Sequence, residues 1–516
     1  MVTSWRKVKP LAVRRQPGTA LIPLLVVTLL FVSLALAVIL TTSPWWDEGV
    51  SADVAVTFAT QGHLGSSILL ATGHPFIRLI PGYGAYTYWM PPLYFFPLAA
   101  IVKLAGFSLL SVRFWSLCCG LTLIFSCYAI ASRLLSSDRA AVLAAVFAGT
   151  DYVLLRCAAT ARPDAMTAAL GFGGVAVYVV LRRRNSLSLA VGIAAACEAA
   201  AVLTHPVGLV HCSGLLLFAY TLDRKRFRWR HALWGVLPFV TGIGIWGLYI
   251  LQAPAIFAAQ FRAHLGNRLA GFSSPLRAIM GDLSGRYVHS YIPYSSVHGS
   301  SLKLGILIVY LLSVVLAIVV PSVRRAPGIK LLLLLAATYY CELAILDRRR
   351  MPQYVIHMVL VCIPLLAGVV DALLAERLVR PGFVVVVISA FVTLQLGGIA
   401  MKVWANTYAN EYVPAINYIE AHSSRDTLID GPSQLLFRLR GQRHLVDDAR
   451  LGGLSGIVPD IVVLDAMHPG PSLFMPNEPD MASHVNRVLV NCSLGATFGD
   501  LKIYLSPRRR ESVPTL

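Results

Sequence analysis

The residues best suited to chemistry lie in Pro44-Trp45-Trp46-Asp47-Glu48, where two adjacent carboxylates follow an apolar run long enough to cross a bilayer. Two tryptophans, side chains that favour the membrane–water interface, precede them. An acid at a membrane boundary is costly to keep and usually has a function. Neighbouring side chains on a helix point about 100° apart, so the two cannot share one task. One faces a reaction while the other supports the backbone. Asp47 and Glu48 are therefore the candidate catalytic residues, with Asp47 placed to take or orient the proton of a nucleophile. Acids that merely favour the helix dipole are the plainer explanation.

A second group is cationic. Arg348, Arg349 and Arg350 precede Met351-Pro352-Gln353-Tyr354, and guanidinium matches phosphate oxygens in a bidentate way. Generic head-group contact is the alternative. His205, in Thr204-His205-Pro206, either holds phosphate or caps a helix. The segment containing Tyr86, Tyr88, Trp89 and Tyr94 is aromatic and fixed by Pro91-Pro92. It suits stacking on a sugar ring, or else forms an interfacial belt. Arg162 and Asp164 flank Pro163 and are expected to pair, which closes the site structurally. Nine cysteines are scattered with no CxxC, and no His, Asp or Glu cluster has ligand spacing. No metal or other cofactor is required, although Asp47 is available to a divalent cation.

The elements that must position these groups are apolar. Of 516 residues, 57% are hydrophobic and 13% charged, against about 25% charged in soluble domains. This is a polytopic membrane protein. Its net charge of +19 sits in short clusters between apolar runs, a pattern of topology signals and lipid contacts that excludes a nucleic-acid-binding face. Apolar segments fall near 20–40, 92–106, 109–131, 140–157, 165–181, 187–203, 207–221, 232–252, 302–320, 329–346, 355–374 and 382–402. Segment 92–106 is too short to span and is read as re-entrant or juxtamembrane. With that choice Arg133/Arg139, Arg182-Arg183-Arg184, Arg224 to Arg230, Arg324-Arg325 and Arg377/Arg380 all face the cytoplasm, as the positive-inside rule requires.

Eleven spans follow, with residues 1–19 cytoplasmic, a membrane domain at 20–403 and an extracytoplasmic region at 404–516. Loop 41–108, the turn around Arg156 to Asp164, Thr204-His205-Pro206, loop 253–301 and Asp347 to Arg350 then share one face. In loop 253–301, His264, Arg268, Arg286 and Tyr291 are available to an acceptor. The C-terminal region reads as a small α/β domain, with strand-like runs at Thr427–Ile429, Ile461–Leu464, Val488–Val490 and Lys502–Leu505 and a helix at Val413–Ala421.

Trp46-Asp47-Glu48, Pro91-Pro92-Leu93-Tyr94 and Ser111-Val112-Arg113-Phe114-Trp115-Ser116 resemble, in order, bacterial members of the protein O-mannosyltransferase and lipid A aminoarabinose transferase superfamily, which is glycosyltransferase 39-like. Arg162-Pro163-Asp164, Thr204-His205-Pro206 and Arg350-Met351-Pro352-Gln353-Tyr354 continue the likeness. It implies a polytopic α-helical protein of the C-type glycosyltransferase fold in the bacterial inner membrane. It also implies a polyprenyl-phosphate sugar donor, inversion at the anomeric carbon, and Asp47 as the catalytic residue, with the Arg348–Arg350 turn near the donor phosphate. Two positions depart from the pattern. Met90 stands where many relatives carry Lys, Arg or His, and His205 where many carry Lys; Arg78 and the Arg348 cluster are the candidates to supply that charge. The acceptor is expected to be a lipid such as lipid A, an envelope glycan or a protein. A lipid-linked glycan flippase or transporter would need charge at mid-span and two related halves. A non-catalytic scaffold would leave the placement of Asp47 and Arg349 unexplained.

Overall fold

The computed structural model describes residues 21–77, 79–183, 186–269, 274–292, 300–441, 444–475 and 477–507. The cations of the N-terminal segment, Arg78, Arg184, residues 293–299 of the second large loop and the side chain of Arg268 lie outside them. Among the described residues ten helices are long and apolar enough to cross a membrane, or eleven when one bent pair counts as a single span. The N-terminal half comprises α1 (Leu21–Thr41), α2 (Trp46–Gln61), α3 (Phe95–Ala105), α4 (Leu109–Leu134), α5 (Asp138–Thr150), α6 (Tyr152–Ala158), α7 (Pro163–Leu181), α8 (Leu187–Thr204), α9 (Leu209–Asp223) and α10 (Trp229–Ile250). Further spans follow at Leu304–Val319, Ile329–Leu346, Val355–Ala375 and Pro381–Ala405. Segment 92–106 forms the short α3, reached through a single 3-10 turn at Pro92–Tyr94.

The bent pair is α5 and α6, which meet at 58°. Buried Asp151 causes the break. Its carboxylate takes the Leu154 N–H at 2.8 Å and so starts a new helix, while the Tyr310 hydroxyl and the Gln395 amide bind its other oxygen at 2.8 and 3.0 Å. A carboxylate with three donors is satisfied inside an apolar bundle where a bare one is not.

The helices alternate direction, so their connections gather at two ends. The turns that carry Arg133 and Arg139, Arg182 and Arg183, Arg224 to Arg230, Arg324 and Arg325, and Arg377 and Arg380 share one end. Ion pairs hold that end together, with Arg139 to Asp371 at 2.5 Å and Arg182 to Asp223 at 2.5 Å. Asp47, Arg162, His205 and Asp347 lie at the other end, beside the C-terminal domain.

That domain is a mixed sheet of β1 (Leu428–Asp430), β2 (His444–Val446), β3 (Ile461–Leu464), β4 (Ser493–Phe498) and β5 (Leu501–Leu505) in the order β2-β1-β3-β5-β4. Strands β1, β2 and β3 run parallel, and β5 is antiparallel to β3 and β4. The expected helix at Val413–Ala421 is present. Val488–Val490 is a correction. These residues close an amphipathic helix, Pro479–Val490, that buries Met481, Ala482 and Val485 at 3–4-residue spacing. Pro479 starts that helix, and an apolar Val-Leu-Val run at its end looks like a strand when taken alone.

The sheet domain is sewn to the loop that follows α2. Asp447 N–H donates to the Ile68 carbonyl at 3.0 Å and Ala449 N–H to Gly73 at 3.2 Å. The buried Arg450 guanidinium donates to the carbonyls of Thr72 at 2.9 Å and His74 at 2.8 Å. Gly49, two residues after Asp47, lies against the backbone of the Ser433–Leu435 turn, and a Cβ there would overlap the Ser433 carbonyl. Neither backbone can yield, so Gly49→Ala should destabilise the docked domain by roughly 1–3 kcal/mol. Limited proteolysis between residues 406 and 427 is the check, with faster cleavage than in wild type expected.

Candidate functional site

Pro44 and extended Trp45 lead into α2, so Asp47 and Glu48 fall in its first turn. Their fates differ. Glu48 is fully buried and surrounded by donors. Arg113 binds it twice, at 2.8 and 2.7 Å, and the N–H groups of Ala161 and Trp45 donate at 2.7 and 2.9 Å. Asp47 is 29% exposed and faces a cavity. Its Oδ2 is ion-paired to Arg162, whose Nε also holds Asp164 at 2.7 Å and whose guanidinium lies 4.5 Å over the Trp45 ring. The expected Arg162–Asp164 pair is therefore half of a bridge that reaches Asp47.

The cavity measures about 140 Å³, and Asp47, Arg162, His205, Arg349, Tyr354 and Trp89 all line it. Residues 300 positions apart in sequence thus meet at one mouth. His205 caps a helical turn and also lines the cavity. Its Nδ1 accepts the Val207 N–H at 3.2 Å, capping the next turn, and its Nε2 meets the Tyr354 hydroxyl at 3.2 Å inside the cavity.

Of the three consecutive arginines, only Arg349 lines this cavity; it stacks 5.4 Å over the Phe76 ring. Arg348 is not part of the lining, and Arg350, at φ 52°, lies over Gly281 and Gly285. The cause is a tight turn. Buried Arg286 binds Asp347 at 2.8 Å, and the same Asp347 oxygen takes the Met351 N–H at 2.8 Å, so successive side chains fan outward. The aromatic segment also divides. Trp89 and Met90 face the cavity, and Tyr86 faces an apolar groove. Tyr88 is buried with its hydroxyl on the Tyr249 carbonyl at 2.8 Å, and Tyr94 is buried in the helical core, so neither is placed to touch a substrate in that cavity.

Two contributors, His74 and Met467, carried no sequence signal, and a third, His264, was marked only as available to an acceptor. His74 and His264 meet edge to face at 5.4 Å in the cavity wall. Burial, reinforced by His264, Arg349 and Arg450, holds His74 well below the usual histidine range and keeps it neutral. Met467 reaches in from the C-terminal domain. The same domain grips the residue before Asp47, because Trp46 Nε1 donates to Asp447 at 2.8 Å. A histidine pair also lies close beneath the site. His211 Nε2 meets His357 Nδ1 at 2.9 Å, and its Nδ1 meets the Tyr339 hydroxyl at 2.9 Å. Polar side chains therefore penetrate the bundle further than the sequence indicated. Among the described residues no group of three or more His, Cys, Asp or Glu side chains is arranged to hold a metal ion.

Behind Trp46, His468 lies between two carboxylates, with Nε2 3.2 Å from Asp447 and Nδ1 3.2 Å from Asp465. Burial favours the neutral ring, but the two carboxylates outweigh it and hold the imidazole pKa at about 10, against 6.5 when free. A raised folded pKa gives stability that is complete below pH 6.5 and is lost as pH rises toward 10. The Tm of the whole chain should fall by several degrees more across that window in wild type than in His468→Gln, as measured by thermal unfolding at matched ionic strength.

Bundle, short helix α3 and docked sheet domain together form the C-type glycosyltransferase fold. ArnT from Cupriavidus metallidurans is similar over 92% of this chain and 97% of its own, with TM-scores of 0.58 in its apo state and 0.55 bound to undecaprenyl phosphate, at 15% and 14% identity. The archaeal oligosaccharyltransferase AglB from Archaeoglobus fulgidus, in complex with an inhibitory peptide and a dolichol-phosphate, is similar over 90% of this chain and 72% of its own, with a TM-score of 0.52 and 13% identity. Residues 90–246 match the family model of dolichyl-phosphate-mannose-protein mannosyltransferases. No curated protein matches the chain by sequence. The chain thus has the architecture of a multi-pass membrane protein with the C-type glycosyltransferase fold, and its likeness in sequence to the mannosyltransferase family lies in residues 90–246.

Proposed function

We propose that the protein transfers a sugar from a polyprenyl-phosphate donor to an acceptor hydroxyl on the extracytoplasmic side of a bacterial inner membrane. The observation that carries this reading is the meeting of Asp47 with Arg349, His205 and Tyr354 around one cavity. An apolar groove of about 350 Å³, lined by Phe58, Tyr86, Leu93, Phe96, Trp246 and Tyr249, suits the first isoprene units of the donor. Tyr86 and Pro92 in the groove and Trp89 and Met90 in the cavity belong to one continuous stretch, so tail and phosphate can lie end to end. The positive-inside rule orients the arginine-rich turns to the cytoplasm and this mouth to the opposite side, where no nucleotide sugar is supplied.

The reaction is a single inverting displacement. Asp47 accepts the proton of the acceptor hydroxyl as its oxygen bonds to the anomeric carbon. The bond from that carbon to the phosphate oxygen breaks, and its electron pair leaves with the lipid phosphate. Arg349 stabilises the charge developing there, an electrostatic contribution of the kind that dominates many enzymes. Phosphate is a good leaving group, so a second carboxyl acting as acid, as in a glycosidase, is unnecessary. Glu48 is a positioning residue, not a reacting one. Arg162 pairs with Asp47 and holds its carboxylate in place.

The test is transfer of label from a polyprenyl-phosphate sugar in proteoliposomes that also contain total envelope lipid and glycan from the source cells. Label in a new product, with release of polyprenyl phosphate, is expected. Movement of intact donor across the bilayer without cleavage would favour the flippase reading instead.

A further inference from the structure

Behind the wall formed by Trp45 and Arg162, which line both spaces, lies a second cavity of about 190 Å³. Four cations and two carboxylates line it. Arg113 is fully engaged by Glu48 and by the carbonyls of Ile39, Thr42 and Ser43. Arg162 serves Asp47 and Asp164. That leaves Arg156, from α6, and Lys402, near the end of Pro381–Ala405. Among the described residues neither forms an ion pair with a carboxylate. Arg156 Nη2 is buried without a hydrogen-bond partner. So are Thr42 Oγ1 and the Gln353 side-chain oxygen, which belong to the same cavity lining. A hydroxyl can donate, and an amide can turn to present its N–H groups.

Arg156 also lies 5.9 Å over the Tyr152 ring, but two cations without a carboxylate partner and unpartnered polar atoms around one space at a membrane boundary are costly unless an anion completes them. Guanidinium, ammonium, hydroxyl and amide together are the donor set that binds phosphate. We infer that this cavity is a second phosphate subsite, separate from the one at Arg349, for a phosphoryl group that the donor does not bring. The group arrives on a lipid headgroup or on a soluble phosphate ester, and it sits across Asp47–Arg162 from the donor. The subsite thereby narrows the acceptor to a phosphate-bearing molecule. This last step rests on the donor reading of the Asp47 cavity, whereas binding itself does not.

The test uses the full chain in phosphatidylcholine nanodiscs and reads Tm during titration with inorganic phosphate against chloride at matched ionic strength. A ligand that binds only the folded state raises Tm saturably. Wild type, Asp47→Asn and Arg349→Gln should all respond, while Arg156→Gln/Lys402→Gln should need at least tenfold more phosphate. Lys402→Gln alone, with an intermediate loss, serves if the double variant does not fold. In a second arm phosphatidic acid replaces part of the phosphatidylcholine. A rise in Tm before any phosphate is added identifies a headgroup as the occupant, and a response to phosphate alone identifies a soluble ester. A wild type unresponsive in both arms, a double variant that responds fully, or a response abolished by Arg349→Gln would each overturn the proposal. Because binding is read without turnover, a protein that binds phosphate here but transfers no sugar would refute the proposed reaction and leave this subsite standing.

Discussion

Asp47→Asn should lower sugar transfer by about 10²–10⁴-fold, the range typical for loss of a positioned general base, with no fall in the yield of folded protein. The substitution keeps the shape of the side chain and removes only its charge and its basicity. Arg162 loses one partner but keeps Asp164 at 2.7 Å. Asp47 is also 29% exposed, so the pair it forms contributes modestly to stability. The assay is initial rate in proteoliposomes alongside thermal unfolding of the same preparation. A variant with more than a tenth of wild-type rate would remove Asp47 from the chemistry, however well it lines the cavity.

Much of the architecture was legible because the bilayer writes it in composition. Apolar length marked the spans, and arginine clustering separated 92–106 from the true crossings. That choice placed Asp47, His205 and Arg349 at one end of the bundle, where the helix succession also puts them. Finer placement was not legible, since it depends on how backbone turns aim side chains. Nothing in Arg348-Arg349-Arg350 tells which of three identical residues enters the cavity; the Arg286–Asp347 pin decides, and it joins residues 61 positions apart. Tyr88 and Trp89 are neighbours with opposite directions for the same reason. The grip of Asp447 on Trp46 spans 401 positions and leaves no local pattern at all. Val488–Val490 misled because three apolar residues have no period, and only the preceding turn of helix discloses the spacing.

The neighbouring carboxylate should behave in the opposite way. Glu48→Gln is expected to destabilise the protein by about 3–5 kcal/mol, the usual consequence of stripping one partner from a buried ion pair, and to lower the folded yield before any rate can be compared. Every group around Glu48 is a donor: two nitrogens of Arg113 and the N–H groups of Ala161 and Trp45. A glutamine offers one oxygen to these donors and turns its own N–H groups toward the rest. Arg113, 1% exposed, is left as an uncompensated charge. Replacing Arg113 by methionine in the same chain should restore only part of the loss, because Arg113 also covers the carbonyls of Ile39, Thr42 and Ser43 at the end of α1. Thermal unfolding and size-exclusion yield of the single and double variants measure both effects. Adjacent acids that separate cleanly, one into rate and the other into stability, would establish that the first turn of α2 presents a single reactive carboxylate held in place by its buried neighbour. A Glu48→Gln protein with wild-type Tm would instead mean that Arg113 finds compensation elsewhere, and that the geometry of Asp47 does not depend on this pair.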